Sequence, residues 1–130
     1  TKCRYPYLKG EIKTQVIKHI KENSRRVKIY IDTINGHDDH LHCLFSLNAT
    51  MSVSKALNLI KGESSFWVNK NHITKSNFEW CDEYYAVTVS ESDLPRVRNY
   101  INNQEEHHRK KTFQEKIDDL TKEHPTKGQG

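Results

Sequence analysis

The sequence predicts an α+β fold, a split β-α-β arrangement with its first strand missing, and three observations carry that reading. Apolar residues recur at helical spacing over several long stretches and alternate at period two over three short ones. The two patterns succeed each other as helix, strand, strand, helix, strand, helix, helix, the order of a split β-α-β unit without its opening strand. The chain of 130 residues is long enough for one hydrophobic core, so a single domain is expected over 1–124, with 125–130 as a tail.

Residues 1–10 read as a connector punctuated by Pro6 and Gly10, whose Arg4, Tyr5 and Tyr7 either touch a ligand or pack. Glu11 to about Arg25 is helical, with Ile12, Val16, Ile17 and Ile20 on one face. Val27, Ile29 and Ile31 alternate with Lys28, Tyr30 and Asp32, which gives a half-buried strand over 27–34. Asn35-Gly36 is a turn signal, so this strand and the next, 40–47, should form an antiparallel hairpin with a longer loop. A second helix spans about Ser52 to Lys70, with Val53, Leu57, Ile60 and Trp67 as its stripe. Gly62 within it marks a kink or a close approach, since glycine there costs about 1 kcal/mol against alanine. Residues 71–83 form an irregular polar loop, and Tyr84 to Ser90 alternates as a third strand. Ser92 or Asp93 caps a third helix with Pro95 in its first turn. Thr112-Phe-Gln-Glu115 is a capping box opening a last helix with Phe113, Ile117 and Leu120 inward. A three-stranded sheet with helices on one face fits this order. The chain starts at Thr1 without a methionine, and a strand upstream of Thr1 would complete the sheet better.

Composition narrows the function classes. Hydrophobic residues make up 34% and charged ones 29%, so much of the chain is wet surface. The net charge of +4, from 21 basic and 17 acidic residues, permits a nucleic-acid partner without demanding one. Cys3, Cys43 and Cys81 are odd in number and lack C-x-x-C spacing, which argues against a disulfide framework and a zinc knuckle. No apolar run reaches membrane-spanning length and no signal peptide is visible, so a reducing, cytoplasmic location is expected. The five glycines include no phosphate-binding G-x-x-x-x-G-K-[ST] loop.

The chemistry-bearing stretch is Asp39-His40-Leu41-His42-Cys43-Leu44-Phe45-Ser46-Leu47. On a strand, residues two apart share a face, so His40 and His42 stand side by side while Leu41, Cys43 and Phe45 point the other way. Two imidazoles on a rigid strand are half of a metal site with positions left open for substrate. From the pair alone, two ordinary histidines on a wet face are the simpler account. Sixty residues on, Val97, Tyr100, Ile101, Gln104 and His108 share the inward face of the third helix. A tyrosine there is most simply core, but Gln104, one turn further on, is an awkward core residue because its amide must find partners. The Gln104 carbonyl with His40 and His42 would make a three-ligand site, with Tyr100 one turn away as a nucleophile.

His40-Leu41-His42 resembles the His-hydrophobic-His motif of the HUH nucleases. Tyr100-Ile-Asn-Asn-Gln104-Glu-Glu-His-His-Arg-Lys-Lys-Thr-Phe-Gln-Glu115 is similar to the tyrosine helix of the small HUH transposases of the insertion sequence 200/605 type. The resemblance runs from about Thr1 through Asp119 and includes Asp32-Thr-Ile-Asn-Gly36, Lys61-Gly-Glu-Ser-Ser65 and Phe78-Glu-Trp80. It implies a ferredoxin-like (RRM-like) HUH fold, with the family's first strand absent ahead of Thr1. It also implies Tyr100 as nucleophile, and Mg²⁺ or Mn²⁺ held by His40, His42 and Gln104. The implied substrate is single-stranded DNA bearing a hairpin, cut to a 5′-phosphotyrosine and a free 3′-hydroxyl. The implied assembly is a homodimer with shared active sites.

Lesser candidates surround this set. His37, Asp38 and Asp39 either hydrogen-bond around the ligands or form a polar loop. Lys55, Lys61, Arg96, Arg98, Arg109, Lys110 and Lys111 are candidates for DNA phosphate contacts, the last three competing with a plain helix-dipole role. Trp67 reads as core, and Trp80 and Tyr84 either stack bases or pack. Two rivals stand beside the transposase reading. One is a domesticated relative that cuts genomic hairpins. The other is a non-catalytic binding module, which would not need Tyr100, Gln104 and both histidines together.

Overall fold

The computed structural model describes residues 1–103 and 113–121. Strand β1 (Ile29–His37) pairs antiparallel with β2 (His40–Leu47), from Ile29 opposite Leu47 to His37 opposite His40. The turn between them is the two residues Asp38 and Asp39. The Asn35-Gly36 signal therefore marks no turn: both residues lie inside β1, opposite His42 and Leu41. Glycine is needed at 36 for close approach. A Cβ there would fall 2.8 Å from the Leu41 Cα and closer still to the His40 carbonyl oxygen.

Asp32 is the one irregular point of the ladder, where the register shifts between Ile31 and Thr33. A bulge adds one residue and resets the alternation. Ile31 and Ile34 consequently face the same core although they stand three positions apart. That core lies between the hairpin and two helices, α1 (Glu11–Arg26) and α2 (Val53–Lys70). Leu8, Val16, Ile20, Ile34, Val68 and Phe78 are its buried members, with Leu41 and Cys43 packed against them from β2. Each fully buried aliphatic or aromatic side chain contributes about 1.5–3 kcal/mol.

The predicted ends of α1 and α2 hold closely. Asp93, by contrast, precedes the third helix without a side-chain cap bond, and Thr112 of the expected capping box lies outside the described residues. Gly10 precedes α1 at φ 56°, where a side chain would be strained, and Arg25 and Arg26 sit at the carbonyl end that favours cations. Ser52 caps α2 by accepting from the Lys55 N–H at 3.1 Å. Gly62 makes no close approach, since a Cβ there would meet nothing within 4 Å, and α2 runs unbroken past it. The connector joins the hairpin turn through the Leu8 N–H, which donates to the Asp38 carbonyl at 2.8 Å.

Helix α3 (Leu94–Asn102) covers the opposite face of the hairpin, and α4 (Phe113–Thr121) packs beside it. Val97, Tyr100, Ile101 and Ile117 form this second core, joined by Leu44 of β2. Helices thus cover both faces of the sheet rather than one. Asp93, at the start of α3, is fully buried and accepts from the Ser90 hydroxyl at 2.8 Å while pairing with Arg96.

The expected strand Tyr84–Ser90 does not form. Among the described residues the sheet has two strands, and 84–88 is exposed on every side chain. A strand exists only against a neighbour that accepts its ladder, and alternation alone supplies none. The segment is tied down by side chains instead. The Lys61 ammonium donates to the Cys81 carbonyl at 2.6 Å and the Glu83 carbonyl at 3.3 Å, and Val89 enters the second core.

The close backbone approach at residue 36 leads to a direct expectation. Gly36→Ala should force the two strands apart beside His40, costing about 1–3 kcal/mol. A thermal melt should show the midpoint falling by several degrees, and an unchanged midpoint would refute the contact.

Candidate active site

Strand β2 sorts its side chains as its alternation predicts. Leu41 and Cys43 enter the core under α1 and α2, while His42 faces Tyr100 of α3. The His40 and His42 rings lie 4.6 Å apart between centroids, and the His42 and Tyr100 rings 6.4 Å apart. One chain therefore brings both histidines and the tyrosine together. Tyr100 is 5% exposed, so its position is set by its packing with Val97 and Ile101. The third expected ligand, Gln104, lies outside the described residues, as do Arg109, Lys110 and Lys111.

The two imidazoles are prepared differently. His40 Nδ1 lies 2.8 Å from Asp39 Oδ1. An ionised carboxylate only accepts, so Nδ1 is the donor and Nε2 is the nitrogen turned toward any ligand. The other Asp39 oxygen accepts from Arg4 Nε at 3.0 Å. Burial works against the Asp39 charge. The hydrogen bond with His40 and the Arg4 charge outweigh it and hold the carboxyl below its usual range. His42 has no need of such a partner to stay neutral: burial first, then the charge of His40, push its pKa down to about 3. Both rings are suited to give nitrogen lone pairs to a cation.

A divalent cation is what this donor set fits, in part. His40 and His42 would supply two ligands on one face of a rigid strand, with Asp39 orienting the first. Among the described residues no cluster of three or more His, Cys, Asp or Glu side chains converges, so a third protein ligand must come from a different residue type or from outside them. Cys43 is no substitute. It points to the other face, and burial pushes its thiol up to about 12.

Among the described residues, three of the four basic side chains expected to contact phosphate are engaged within the protein. Both oxygens of Asp32 accept from Arg98, through Nε and Nη2, each at 2.9 Å. That pair, followed by the Thr33 hydroxyl, holds the Asp32 carboxyl below its usual range. Arg96 pairs with buried Asp93, and Lys61 secures the 81–83 backbone. Lys55 is exposed. Trp80 packs: its indole N–H donates to the Ser64 hydroxyl at 2.8 Å and its ring meets Phe78 edge-on. Tyr84 is exposed, with the Lys61 ammonium 5.7 Å from its ring centre. Trp67 is half-buried and stacks on His19, whose Nε2 meets Glu63 at 2.7 Å. His37 closes the hairpin opposite His40.

The sequence leaves Arg4 to touch a ligand or pack and offers Asn35 only as part of a turn, so the contacts of both go unread. The Asn35 side-chain amide donates to the Asn102 carbonyl at 3.1 Å, joining β1 to the end of α3. Neither carries a local signal, because both partners are distant in the chain.

A two-histidine strand facing a tyrosine helix, on an α+β frame with a two-stranded antiparallel sheet, defines the class of DNA-processing protein to compare with. Residues 1–104 match the family model described as "Transposase IS200 like". The chain belongs to the IS200-like transposase family, and its architecture is compatible with that family's fold lacking a strand. No curated protein matches the chain. Among the described residues no helix is long and apolar enough to cross a membrane.

The cysteines offer a check on this side-chain sorting. A thiol-alkylating reagent at pH 8 should label the exposed Cys3 and Cys81 and spare Cys43, whose thiol burial keeps protonated there. Labelling of all three at equal rates in the folded protein would contradict the placement of Leu41 and Cys43 in the core.

Proposed function

We propose that this transposase nicks and rejoins single-stranded, hairpin-bearing DNA through a covalent tyrosine intermediate. The observation that carries the reading is the placement of Tyr100 beside His42, with His40 next to it, on rigid elements of one chain. The Tyr100 hydroxyl oxygen attacks the scissile phosphorus, and the bond from phosphorus to the flanking 3′-oxygen breaks. The phenolic proton is lost, and the departing 3′-oxygen gains a proton to become a hydroxyl. The DNA 5′-phosphate is left on Tyr100. Rejoining is the reverse attack by a 3′-hydroxyl, which needs no nucleotide cofactor because the phosphotyrosine keeps the ester bond.

Mg²⁺ or Mn²⁺ would be held by His40, His42 and Gln104. When bound, such an ion supplies a positive charge against the phosphate oxygens. The chain's own work is orientation: Asp39 fixes the His40 ring, burial keeps His42 neutral, and the α3 packing holds the phenol. Binding to DNA phosphates is supported by where the charge sits. Residues 11–28 hold six basic and two acidic side chains, a charge equal to the net +4. Lys18, Lys21, Arg25, Arg26 and Lys28 are exposed there.

Labelled single-stranded hairpin DNA, incubated with the protein and Mg²⁺, should give a protein–DNA adduct that survives denaturation. Tyr100→Phe should lower adduct formation by about three orders of magnitude or more while leaving DNA binding intact, and EDTA should stop it in the wild type. An undiminished adduct in Tyr100→Phe would overturn the nucleophile, and full activity in EDTA the metal.

The active assembly is, in this reading, a homodimer in which α3 can dock on either sheet, so that sites are shared. Tyr100→Phe and His42→Ala chains, each inactive alone, are then expected to recover partial activity when mixed, with the adduct on the His42→Ala chain. No recovery in verified mixed dimers would confine each site to one chain.

A further inference from the structure

Helix α3 is short, and its grip on the sheet comes in two kinds. Val97, Tyr100 and Ile101 bury apolar surface against Leu44 and α4. That contact is non-directional, so a nine-residue helix could roll or slide on it at little cost. The second kind is directional and brackets Tyr100. Two residues before it, Arg98 makes a two-pronged pair with Asp32, both contacts at 2.9 Å. Two residues after it, the Asn102 carbonyl accepts from Asn35 at 3.1 Å. Asp32 and Asn35 are both on β1, three residues apart.

The bulge is what aims the first of these contacts. The register shift at Asp32 takes that residue out of the regular alternation, and Thr33, its neighbour, is buried opposite Leu44 on the α3 side. The Thr33 hydroxyl and Arg98 both donate to Asp32 Oδ1. The carboxylate is thereby held by its own strand before it meets the guanidinium. A planar guanidinium gripping both carboxylate oxygens fixes direction as well as distance.

We propose that Asp32 and Asn35 are positioning residues that latch the Tyr100 helix, through Arg98 and the Asn102 carbonyl, in register with the two histidines. The latch belongs to whichever sheet carries the docked helix. It rests on the proposed role of Tyr100 as nucleophile, but its grip on α3 can be measured without any chemistry.

Magnitudes separate positioning from mere stabilisation. The Asp32–Arg98 pair is partly exposed, and such pairs shift a local opening equilibrium by no more than about fivefold. If that were its only role, a helix docked most of the time would react at nearly the wild-type rate. A misplacement of about 1 Å in a reacting group instead costs about a hundredfold.

The test uses the full chain with Asp32→Asn, Asn35→Ala and the exchanged pair Asp32→Arg with Arg98→Asp. Hydrogen exchange should show α3 amides opening about two- to fivefold faster in the single variants, with α1 amides unchanged. The single-turnover adduct rate at saturating hairpin DNA should fall about tenfold or more, with DNA affinity within about twofold of wild type. The exchanged pair should restore most of both. Unaltered α3 exchange in Asp32→Asn would overturn the latch. So would a rate loss matched by an equal loss of DNA affinity, or an exchanged pair no better than the single variants. If Tyr100→Phe keeps its adduct, the nucleophile assignment falls, and the exchange of α3 amides still decides the latch.

Discussion

The register of the β1–β2 hairpin is the constraint on which the rest of this structure depends. Strand side chains alternate, so a slip of one residue would send Leu41 and Cys43 to the α3 side and turn His40 and His42 into the apolar core. Three features hold the register. The Asp38–Asp39 turn closes one end, the close approach at Gly36 leaves no room for displacement, and the bulge at Asp32 absorbs the offset between the two halves of β1. Lys13 adds a tie from α1, donating to the Gly36 carbonyl at 3.1 Å. The same two strands thereby carry a greasy face and a chemical face with no loop between them.

Charge is handled differently on the two histidines, and the difference follows from depth. His40, nearer the hairpin turn, has a carboxylate beside it that is itself held by Arg4. His42 is deeper, where burial first and the neighbouring His40 second keep it uncharged. A ring held neutral, as His42 is, accepts a cation without first losing a proton, a cost that metal binding otherwise carries. Cys43, next to His42 in sequence but on the other face of the sheet, is kept protonated by its own burial.

Basic residues in this chain divide by partner. Arg98, Arg96 and Lys61 resemble phosphate ligands in the sequence, yet each is drawn into a contact with its own protein: a strand bulge, a buried carboxylate, a pair of carbonyls. Their work is to hold α3 and the 81–83 segment. The exposed cations of α1 stand on the far side of the sheet from Tyr100, and residues 11–28, which include them, carry a charge equal to the net +4. Counting lysines and arginines near a motif therefore misjudges which of them meet solvent.

The sequence by itself determined the helices, the hairpin and the side-by-side histidines, because each rests on a period that local geometry imposes. Period two in 40–47 placed His40 with His42, and period 3.6 in 92–102 turned Val97, Tyr100 and Ile101 inward. The same local logic failed at Asn35-Gly36 and at Tyr84–Ser90. A turn dipeptide can serve inside a strand where backbones crowd, and an alternating segment is a strand only if a neighbour accepts its hydrogen bonds. Tertiary structure alone decided that Tyr100 meets His42, that Asp32 bulges to receive Arg98, and that Asn35 reaches Asn102. Those partners stand 58 to 67 positions apart in the chain. No local rule joins residues at that separation, and only the docking of α3 across the hairpin brings them into contact.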